Sequence, residues 1–295
     1  MATLSELPLT ELALTHWDGS CSTEQQNTTL QALEDGHVIL LPQLSFDMQQ
    51  AASLLNDVTA MPGKSKSISW DAKRGVRGHG EAYDAGLLAS MLERYAVQTR
   101  TLLSKLLPIY TSQLQQGSTS YRPAEIAGRN MSWRKDDTRL HVDSFPSSPT
   151  HGKRILRVFS NINPHGASRV WKLGAPFSQV AQHFLPATPK PSATTAALLR
   201  WIKVTKSLRT PYDHYMLQLH DRMKADLAYQ AQVEQYTHEF APGQTWMVYT
   251  DLVSHAALRG QHALEQTWLL PVAAMGDPAK SPLAILENQL GRSLV

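Results

Sequence analysis

The sequence predicts a mainly β fold with helices packed outside it (α+β), and three observations support this class. Runs of β-branched and aromatic residues at 154–164 and 244–249 are typical of strands bounded by turn residues. Segments at about 84–116 and 176–236 repeat apolar residues every three or four positions, which is typical of helices. With 295 residues the chain can bury a full core, and we predict a single domain over residues 1–295.

The remaining elements are predicted in chain order. A strand, a short helix capped by Asp47, a basic loop and a glycine-rich loop are predicted at 37–41, 47–57, 63–67 and 71–80. Strand-like sequence at 121–175 and 239–273 flanks the helical region at about 176–236. That helical region is therefore predicted to be an insertion within one distorted barrel. For residues 274–295 we predict a tail or a short final helix.

Composition narrows the function classes. A formal net charge of +3 argues neither for nor against nucleic acid, and no nucleic-acid partner is predicted. The single cysteine, Cys21, excludes an internal disulfide and any cysteine-based zinc or iron–sulfur site. Residues 1–7 lack the features of a secretory signal, and apolar runs such as 38–41 are far shorter than the roughly 20 residues of a bilayer span. We expect a soluble or peripheral protein, whose oligomeric state the sequence does not indicate.

The most informative motif is a pattern of metal ligands. His141 and Asp143 are separated by one residue, so in a strand both side chains point to the same side. His255 lies 114 residues further on. Two imidazoles and one carboxylate bind Fe(II) on one face and leave three positions open for a co-substrate and oxygen.

His255 lies in a strand–turn–strand frame. Pro242-Gly243 precedes a strand that ends at Tyr249, and Gly260 turns the chain into a closing strand at 265–272. A ligand just beyond a strand end, followed by a glycine turn and a last strand, is typical of a jelly-roll barrel (double-stranded β-helix). His262 is the competing third ligand, and His255 is favoured.

Seven runs of sequence, in order along most of residues 60–272, share the pattern of one family. They are NMSWRKDDTRLHVDSFP at 130–146, RVFSN at 157–161, RVWKLG at 169–174, TKSLR at 205–209, YDH at 212–214, LHDRMK at 219–224 and EQT at 265–267. In these runs the chain resembles the Kdo hydroxylases, Fe(II)- and 2-oxoglutarate-dependent oxygenases that act on 3-deoxy-D-manno-oct-2-ulosonic acid (Kdo) in bacterial lipopolysaccharide.

The resemblance implies hydroxylation of carbon 3 of Kdo, giving Ko. It implies Fe(II), 2-oxoglutarate and O2 as cofactor and co-substrates, with ascorbate as a supporting reductant in vitro. The expected substrate is a Kdo-containing lipid A precursor at the cytoplasmic face of the inner membrane. Peripheral membrane contact is expected with it, through Lys64, Lys66 and Lys73.

Within this resemblance, the distal carboxylate of 2-oxoglutarate needs a fixed cation, and arginine is favoured because its guanidinium binds carboxylates bidentately. Many relatives carry an Arg or Lys soon after the distal histidine, whereas residues 263–267 here contain no basic residue. Arg157 and Arg169 are the best candidates for the cation, with Thr267 as a hydroxyl donor.

An anionic substrate also predicts basic contacts. The candidate substrate-binding residues, all cationic, are Arg134, Lys135, Arg139, Arg74 and Arg77, with Lys73 beside them. Glycines around Arg74 and Arg77 favour a mobile loop that closes over the site.

The other conspicuous side chains have simpler interpretations. Structural or solvent-facing roles are predicted for the remaining histidines, including His79, His151, His165, His214 and His220. Barrel packing is predicted for Trp133, Trp171, Trp246 and Trp268. His220 and Asp221 are neighbours on a predicted helix, where adjacent residues do not share a face. Apolar stripes at 88–106 and 198–227 predict core-facing helix surfaces.

Two alternatives stay open. One keeps the oxygenase and changes the substrate to another sugar acid or small molecule. The other is a non-catalytic jelly-roll protein that binds carbohydrate.

Overall fold

The computed structural model describes residues 8–55, 67–81, 83–129 and 131–295. The strand predicted at 37–41, the closing strand and the final helix are all present. The strands are β1 Leu9–Glu11, β2 Val38–Leu41, β3 Ile68–Asp71, β4 Gly75–Arg77, β5 Gln115–Arg122, β6 Arg154–Asn161, β7 Arg169–Leu173, β8 Tyr236–Phe240, β9 Thr245–Tyr249, β10 His255–Arg259 and β11 Ala263–Leu270. The helices are α1 Thr23–Glu34, α2 Ala85–Leu106, α3 Phe177–Phe184, α4 Ala193–Trp201, α5 Pro211–Ala225, α6 Leu227–Gln232 and α7 Pro282–Leu290.

Two sheets form the β core. The larger has eight strands in the order β1-β2-β9-β6-β11-β5-β3-β4, and the smaller has three in the order β10-β7-β8. Side chains of both sheets meet in one buried cluster, in which Phe159 and Trp246 of the large sheet pack on Trp171 and Phe240 of the small one. The sheets therefore pack face to face, and the predicted mainly β class with outer helices is confirmed.

Helix α2 covers the outer face of the large sheet. Asp84 caps it by accepting from the backbone N–H groups of Gly86 and Leu87, which the first helical turn leaves without partners. Its apolar side chains recur every three or four residues and are buried, as the stripe at 88–106 predicts. The helix ends at Leu106, well before the predicted limit near 116, because Pro108 follows and Gln115 already belongs to β5.

Two further expectations need correction. Residues 121–175 contain much irregular chain, since the loop between β5 and β6 runs from 123 to 153 and includes His141 and Asp143. The stripe at 198–227 is core-facing only in α5, where Leu219 and Met223 are buried, whereas Leu198, Trp201 and Leu227 are exposed. The spacing of apolar residues in the sequence indicates that a helix has an apolar face. It does not indicate whether another element of the fold covers that face.

The helices α3 to α6 all lie between β7 and β8, at the position predicted for the insertion. Among the described residues, no helix combines the length and the apolar character needed to cross a membrane.

Candidate metal centre

The two candidate histidine ligands are joined through their backbones. His141 N–H donates to the carbonyl of His255 at 3.0 Å, and His255 N–H donates to the carbonyl of His141 at 2.9 Å, which makes an isolated antiparallel bridge. His255 is the first residue of β10, where it lies opposite Leu173 of β7. Asp143 N–H bonds the carbonyl of Thr250 at 2.7 Å. Backbone hydrogen bonds thus join the loop that carries His141 and Asp143 to the segment that leads into β10.

His141, Asp143 and His255 form a compact set of ligand atoms. One ligand atom from each residue lies within 4.8 Å of the other two, and Nε2 of His141 is 3.8 Å from Oδ1 of Asp143. Nδ1 of His141 bonds the carbonyl of Arg139, and Nδ1 of His255 bonds the carbonyl of Val253, both at 2.8 Å. A carbonyl only accepts, so each Nδ1 carries the proton and each Nε2 is left free to bind a metal.

The electrostatics of this set also suit a divalent cation. Burial, followed by the neighbouring His255 and Lys224, lowers the pKa of His141 well below its usual value, and burial likewise lowers the pKa of His255. Burial alone would raise the pKa of Asp143, but the guanidinium of Arg157 and the two imidazoles outweigh it and lower that pKa. Two neutral imidazoles and one carboxylate are the donor set of non-haem Fe(II) sites. The residues therefore fit that ion.

Arg157 links this set to the barrel interior. Its Nη2 lies 3.0 Å from Oδ2 of Asp143, and its Nη1 lies 2.7 Å from Oε1 of Glu265. Arg122 on β5 approaches the other oxygen of Glu265 at 2.6 Å. Glu265 is therefore clamped between two guanidiniums, which lower its pKa although burial would raise it.

Arg169 is a buried cation that has no ion-pair partner among the described residues. Its side chain forms no ion pair with any residue that the structure describes, and its polar contact is a long bond of 3.4 Å from Nη1 to the carbonyl of Gly260. Burial and the nearby Arg122 lower its pKa to about 9. Gly260 has φ of +122°, and a Cβ there would lie 2.9 Å from the Cα of Arg169, so this turn needs glycine. A buried guanidinium without a direct ion-pair partner is well suited to bind a carboxylate ligand.

Trp171 lies between Arg169 and the ligands. Its indole stacks on the ring of His255, with centroids 5.2 Å apart and planes 23° apart. Nε1 of Trp171 is buried and has no hydrogen-bond partner among the described residues. The sequence predicted only a packing role for Trp171, and its indole N–H adds an unused donor beside the ligand set.

Two more residues beside the centre were missed by sequence reasoning. His220 of α5 packs its ring edge-on against His141, with centroids 5.3 Å apart. Its Nδ1 lies 2.9 Å from Oδ1 of Asp221, the neighbouring residue on the helix. Arg122 gave no signal because nothing in the linear sequence pairs β5 with Glu265. His220 gave none because helix packing brings it to His141.

His262, the competing third ligand, lies elsewhere. It is buried next to Tyr121, whose hydroxyl is 2.7 Å from its Nδ1. The structure brings His255, and not His262, to His141 and Asp143.

The candidate substrate-binding cations occupy two sides of the centre. On one side, Arg134 pairs with Asp221 at 3.0 Å and Arg139 pairs with Asp136 at 3.0 Å. Arg134 and Lys135 lie in the same exposed turn, and the side chain of Arg134 is 61% exposed to solvent.

On the other side, Arg74 and Arg77 both pair with Asp71 at 2.8 Å. Lys73, Arg74, Phe145, Lys206 and Thr267 are among the residues that line a cavity of about 580 Å³. Thr267 lies opposite Arg157 in the pairing of β11 with β6, and the guanidinium of Arg157 is 5.6 Å from the Phe145 ring. This cavity therefore adjoins the ligand set through Arg157. Lys64 and Lys66 lie outside the described residues.

The chain was compared with known proteins. The family model for 3-deoxy-D-manno-oct-2-ulosonic acid (Kdo) hydroxylase matches residues 16–293. A crystal structure of the Kdo hydroxylase KdoO, a non-haem Fe(II) α-ketoglutarate-dependent dioxygenase, in complex with cobalt(II) is 45% identical, with a TM-score of 0.94 over 98% of this chain and 97% of that one. The structure of KdoO with α-ketoglutarate and Fe(III) is 44% identical, with a TM-score of 0.92 over the same shares. A search of curated proteins found no match.

The fold and the ligand set define a non-haem Fe(II)- and 2-oxoglutarate-dependent dioxygenase with a jelly-roll core, as the sequence predicted. Within that class, the chain belongs to the Kdo hydroxylase family. Family membership sets aside the alternative of a non-catalytic carbohydrate-binding protein.

Proposed function

We propose that this enzyme hydroxylates carbon 3 of Kdo carried on a lipid A precursor, with His141, Asp143 and His255 holding the iron. The observation that carries the proposal is the convergence of these three buried side chains in a chain of the Kdo hydroxylase family. When bound, Fe(II) with 2-oxoglutarate and O2 supplies the oxidising chemistry that inserts the oxygen atom.

The protein's first task is to hold the ligands. The backbone carbonyls of Arg139 and Val253 fix both imidazole tautomers, and Arg157 fixes the carboxylate of Asp143. Partners of this kind orient metal ligands and contribute to metal affinity.

Its second task is to bind 2-oxoglutarate. Arg169 is the best candidate for the distal carboxylate, because Arg157 and Arg122 are already paired with carboxylates and Arg169 is not. Nε1 of Trp171 supplies a further donor in the same part of the barrel. Thr267 lies opposite Arg157 in the pairing of β11 with β6 and lines the cavity, and its role as a hydroxyl donor to the co-substrate stays a prediction.

Its third task is to position the sugar acid. Cations on both sides of the centre are available for the Kdo carboxylate and for neighbouring phosphates. They are Lys73 and Arg74 in the cavity beside Phe145, and Arg77, Arg134, Lys135 and Arg139 around the centre. Holding the substrate methylene in place and excluding water are what the protein adds to the cofactor's chemistry. A lipid-borne substrate supports a further part of the proposal, that the enzyme acts as a peripheral protein at the cytoplasmic face of the inner membrane.

A product assay tests the proposal. The protein is incubated with Fe(II), 2-oxoglutarate, ascorbate and a Kdo-bearing lipid A precursor, and the sugar is analysed by mass spectrometry. We expect the mass of one added oxygen atom on Kdo, located at carbon 3 by fragmentation, and matched by succinate formation. Succinate that depends on this precursor without oxygen on Kdo would contradict the proposal, and turnover with a different sugar acid alone would move the activity to that acid.

A further inference from the structure

Helix α4 is an exposed helix with an apolar surface. None of its nine residues is buried. Trp201, at its end, is 79% exposed. Nine large apolar side chains in the described part of the chain are exposed, and five of them cluster within eleven residues: Leu198, Trp201, Ile202, Val204 and Leu208. We call these five the α4 apolar patch. Single exposed apolar residues are ordinary on protein surfaces, whereas a contiguous cluster of them is typical of a surface that binds a partner or a membrane.

The surroundings of the α4 apolar patch are strongly cationic. Between Asp143 and Asp213 the sequence contains no Asp or Glu, although it contains ten Lys and Arg. The formal charge of residues 144–212 is thus +10 in a chain whose net charge is +3. Five of these cations lie in or beside the patch: Lys190, Arg200, Lys203, Lys206 and Arg209. The partner of this surface is therefore anionic as well as apolar.

The patch is tied to the loop that carries Asp143. Lys206 N–H donates to the carbonyl of Ser147 at 2.9 Å, and Nη2 of Arg209 donates to the carbonyl of Pro146 at 2.8 Å. Lys206 also lines the cavity that contains Phe145 and Thr267. A partner that seats on the patch therefore lies at the rim of the proposed substrate site.

A groove of about 550 Å³ runs along the inner side of α4. Its lining combines apolar Ala196, Leu199 and Leu208 with cationic Arg209 and Arg292. Apolar walls beside guanidinium groups suit an acyl chain that ends in an anionic headgroup.

The charge also argues against a second copy of this chain as the occupant. In a two-fold dimer the same patch would face itself, so both copies would bring their five flanking cations together. Like charges at an interface oppose association. A tryptophan with flanking lysines and arginines is instead typical of residues that sit at a membrane–water interface.

We propose that the α4 apolar patch and its flanking cations are the surface by which this enzyme docks on an anionic lipid bilayer. The patch residues enter the interfacial region, while Arg200 and Lys203 meet the lipid phosphates. This deepens the proposed function, because docking at this surface presents a membrane-borne sugar to the adjoining cavity, and it rests on that function only for the substrate.

Vesicle sedimentation tests the docking surface without any Kdo-bearing lipid. The protein is mixed with vesicles of phosphatidylcholine alone or of phosphatidylcholine with phosphatidylglycerol, and the bound fraction is measured. Three double variants are compared: Leu198→Glu with Trp201→Glu in the patch, Arg200→Gln with Lys203→Gln beside it, and Val97→Glu with Ile109→Glu as a matched control. Val97 and Ile109 are also exposed apolar residues, and they lie away from α4.

We expect the unaltered chain to bind the anionic vesicles, and the patch variant to lose binding by at least roughly tenfold. Neutralising Arg200 and Lys203 should weaken it by roughly 30-fold, and more at low salt than at high salt. The control should bind like the unaltered chain. All three variants should keep Fe(II) and 2-oxoglutarate binding, which shows that they fold and separates this result from any failure of the proposed catalytic function.

Three outcomes would overturn the proposal. The unaltered chain binds neither type of vesicle, the control loses binding as much as the patch variant does, or the patch variant keeps its vesicle binding. If the patch variant keeps vesicle binding and light scattering shows that it turns a dimer into a monomer, the patch is an interface between two copies of this chain.

Discussion

His141 and His255 hold each other by reciprocal backbone hydrogen bonds of 3.0 and 2.9 Å, although 114 positions separate them in the chain. The rings of these two residues lie 4.6 Å apart, centroid to centroid. The backbone bridge therefore fixes the distance between the two residues, whatever their side chains are. The iron that we propose at these residues would meet pre-organised ligands, which favours tight binding since little ordering is required.

Replacing either histidine should abolish metal binding while leaving the bridge in place. Because the bridge uses only backbone atoms, His141→Ala and His255→Ala should fold with little change in melting temperature. Anaerobic titration with Fe(II) should show a loss of affinity larger than about 100-fold, since even partners of metal ligands contribute 10–100-fold. His16→Ala, at an exposed position, is the control. An alanine variant that still bound Fe(II) normally would remove that histidine from the site.

Arg157 should matter for metal affinity through Asp143. In Arg157→Met, Asp143 and Glu265 lose a shared cation, so Asp143 is held less firmly and a proton competes better for it. We expect Fe(II) affinity to fall about 10–100-fold, with a partial recovery in Arg157→Lys. The measurement is the Fe(II) dissociation constant at two pH values. Unchanged affinity combined with a raised KM for 2-oxoglutarate would instead make Arg157 a co-substrate ligand.

Arg169 should determine affinity for 2-oxoglutarate. Removing a buried, charge-assisted partner of a carboxylate costs about 2–5 kcal/mol, which corresponds to a rise in KM or Kd of roughly 30-fold or more. Arg169→Met should show that rise and keep its affinity for Fe(II). Arg259→Met is a suitable control, because Arg259 is exposed on β10 and pairs with Glu239. Normal 2-oxoglutarate binding in Arg169→Met would transfer the role to another cation.

His262 should make the folded state sensitive to acid. Burial lowers its pKa to about 4, whereas in the unfolded chain it is close to 6.5. As the pH falls from 6.5 towards 4, the unfolded chain takes up a proton that the folded chain does not, so the free energy of unfolding falls by up to about 3 kcal/mol.

The variant His262→Asn isolates this contribution. Asparagine tolerates the φ of +52° at this position and does not titrate. Urea unfolding between pH 7 and pH 4 should show a shallower loss of stability in the variant than in the unaltered chain. An identical slope in His262→Asn would show that His262 titrates normally.

Much of the centre could be predicted from the sequence because its signals are local. His141 and Asp143 share a side through the two-residue period of extended chain, and the turn at Gly260 with the strand after it framed His255. The strands at 38–41, 154–161 and 245–249 were predictable for the same reason, since side-chain period and turn residues are properties of a few neighbouring positions.

What the sequence alone determined was thus the class of fold, the ligand types and the family pattern. Only the tertiary structure decided which of the two candidates, Arg157 and Arg169, lacks a carboxylate partner among the described residues. Glu265 on β11 pairs with Arg157 of β6 and Arg122 of β5, and these strands are far apart in sequence. It also decided that His220 lies against His141 and that α4 is uncovered, although the apolar stripe of α4 looked like a core face. Ion pairing and burial depend on what packs opposite a residue, and the periodicity of a single segment does not contain that information.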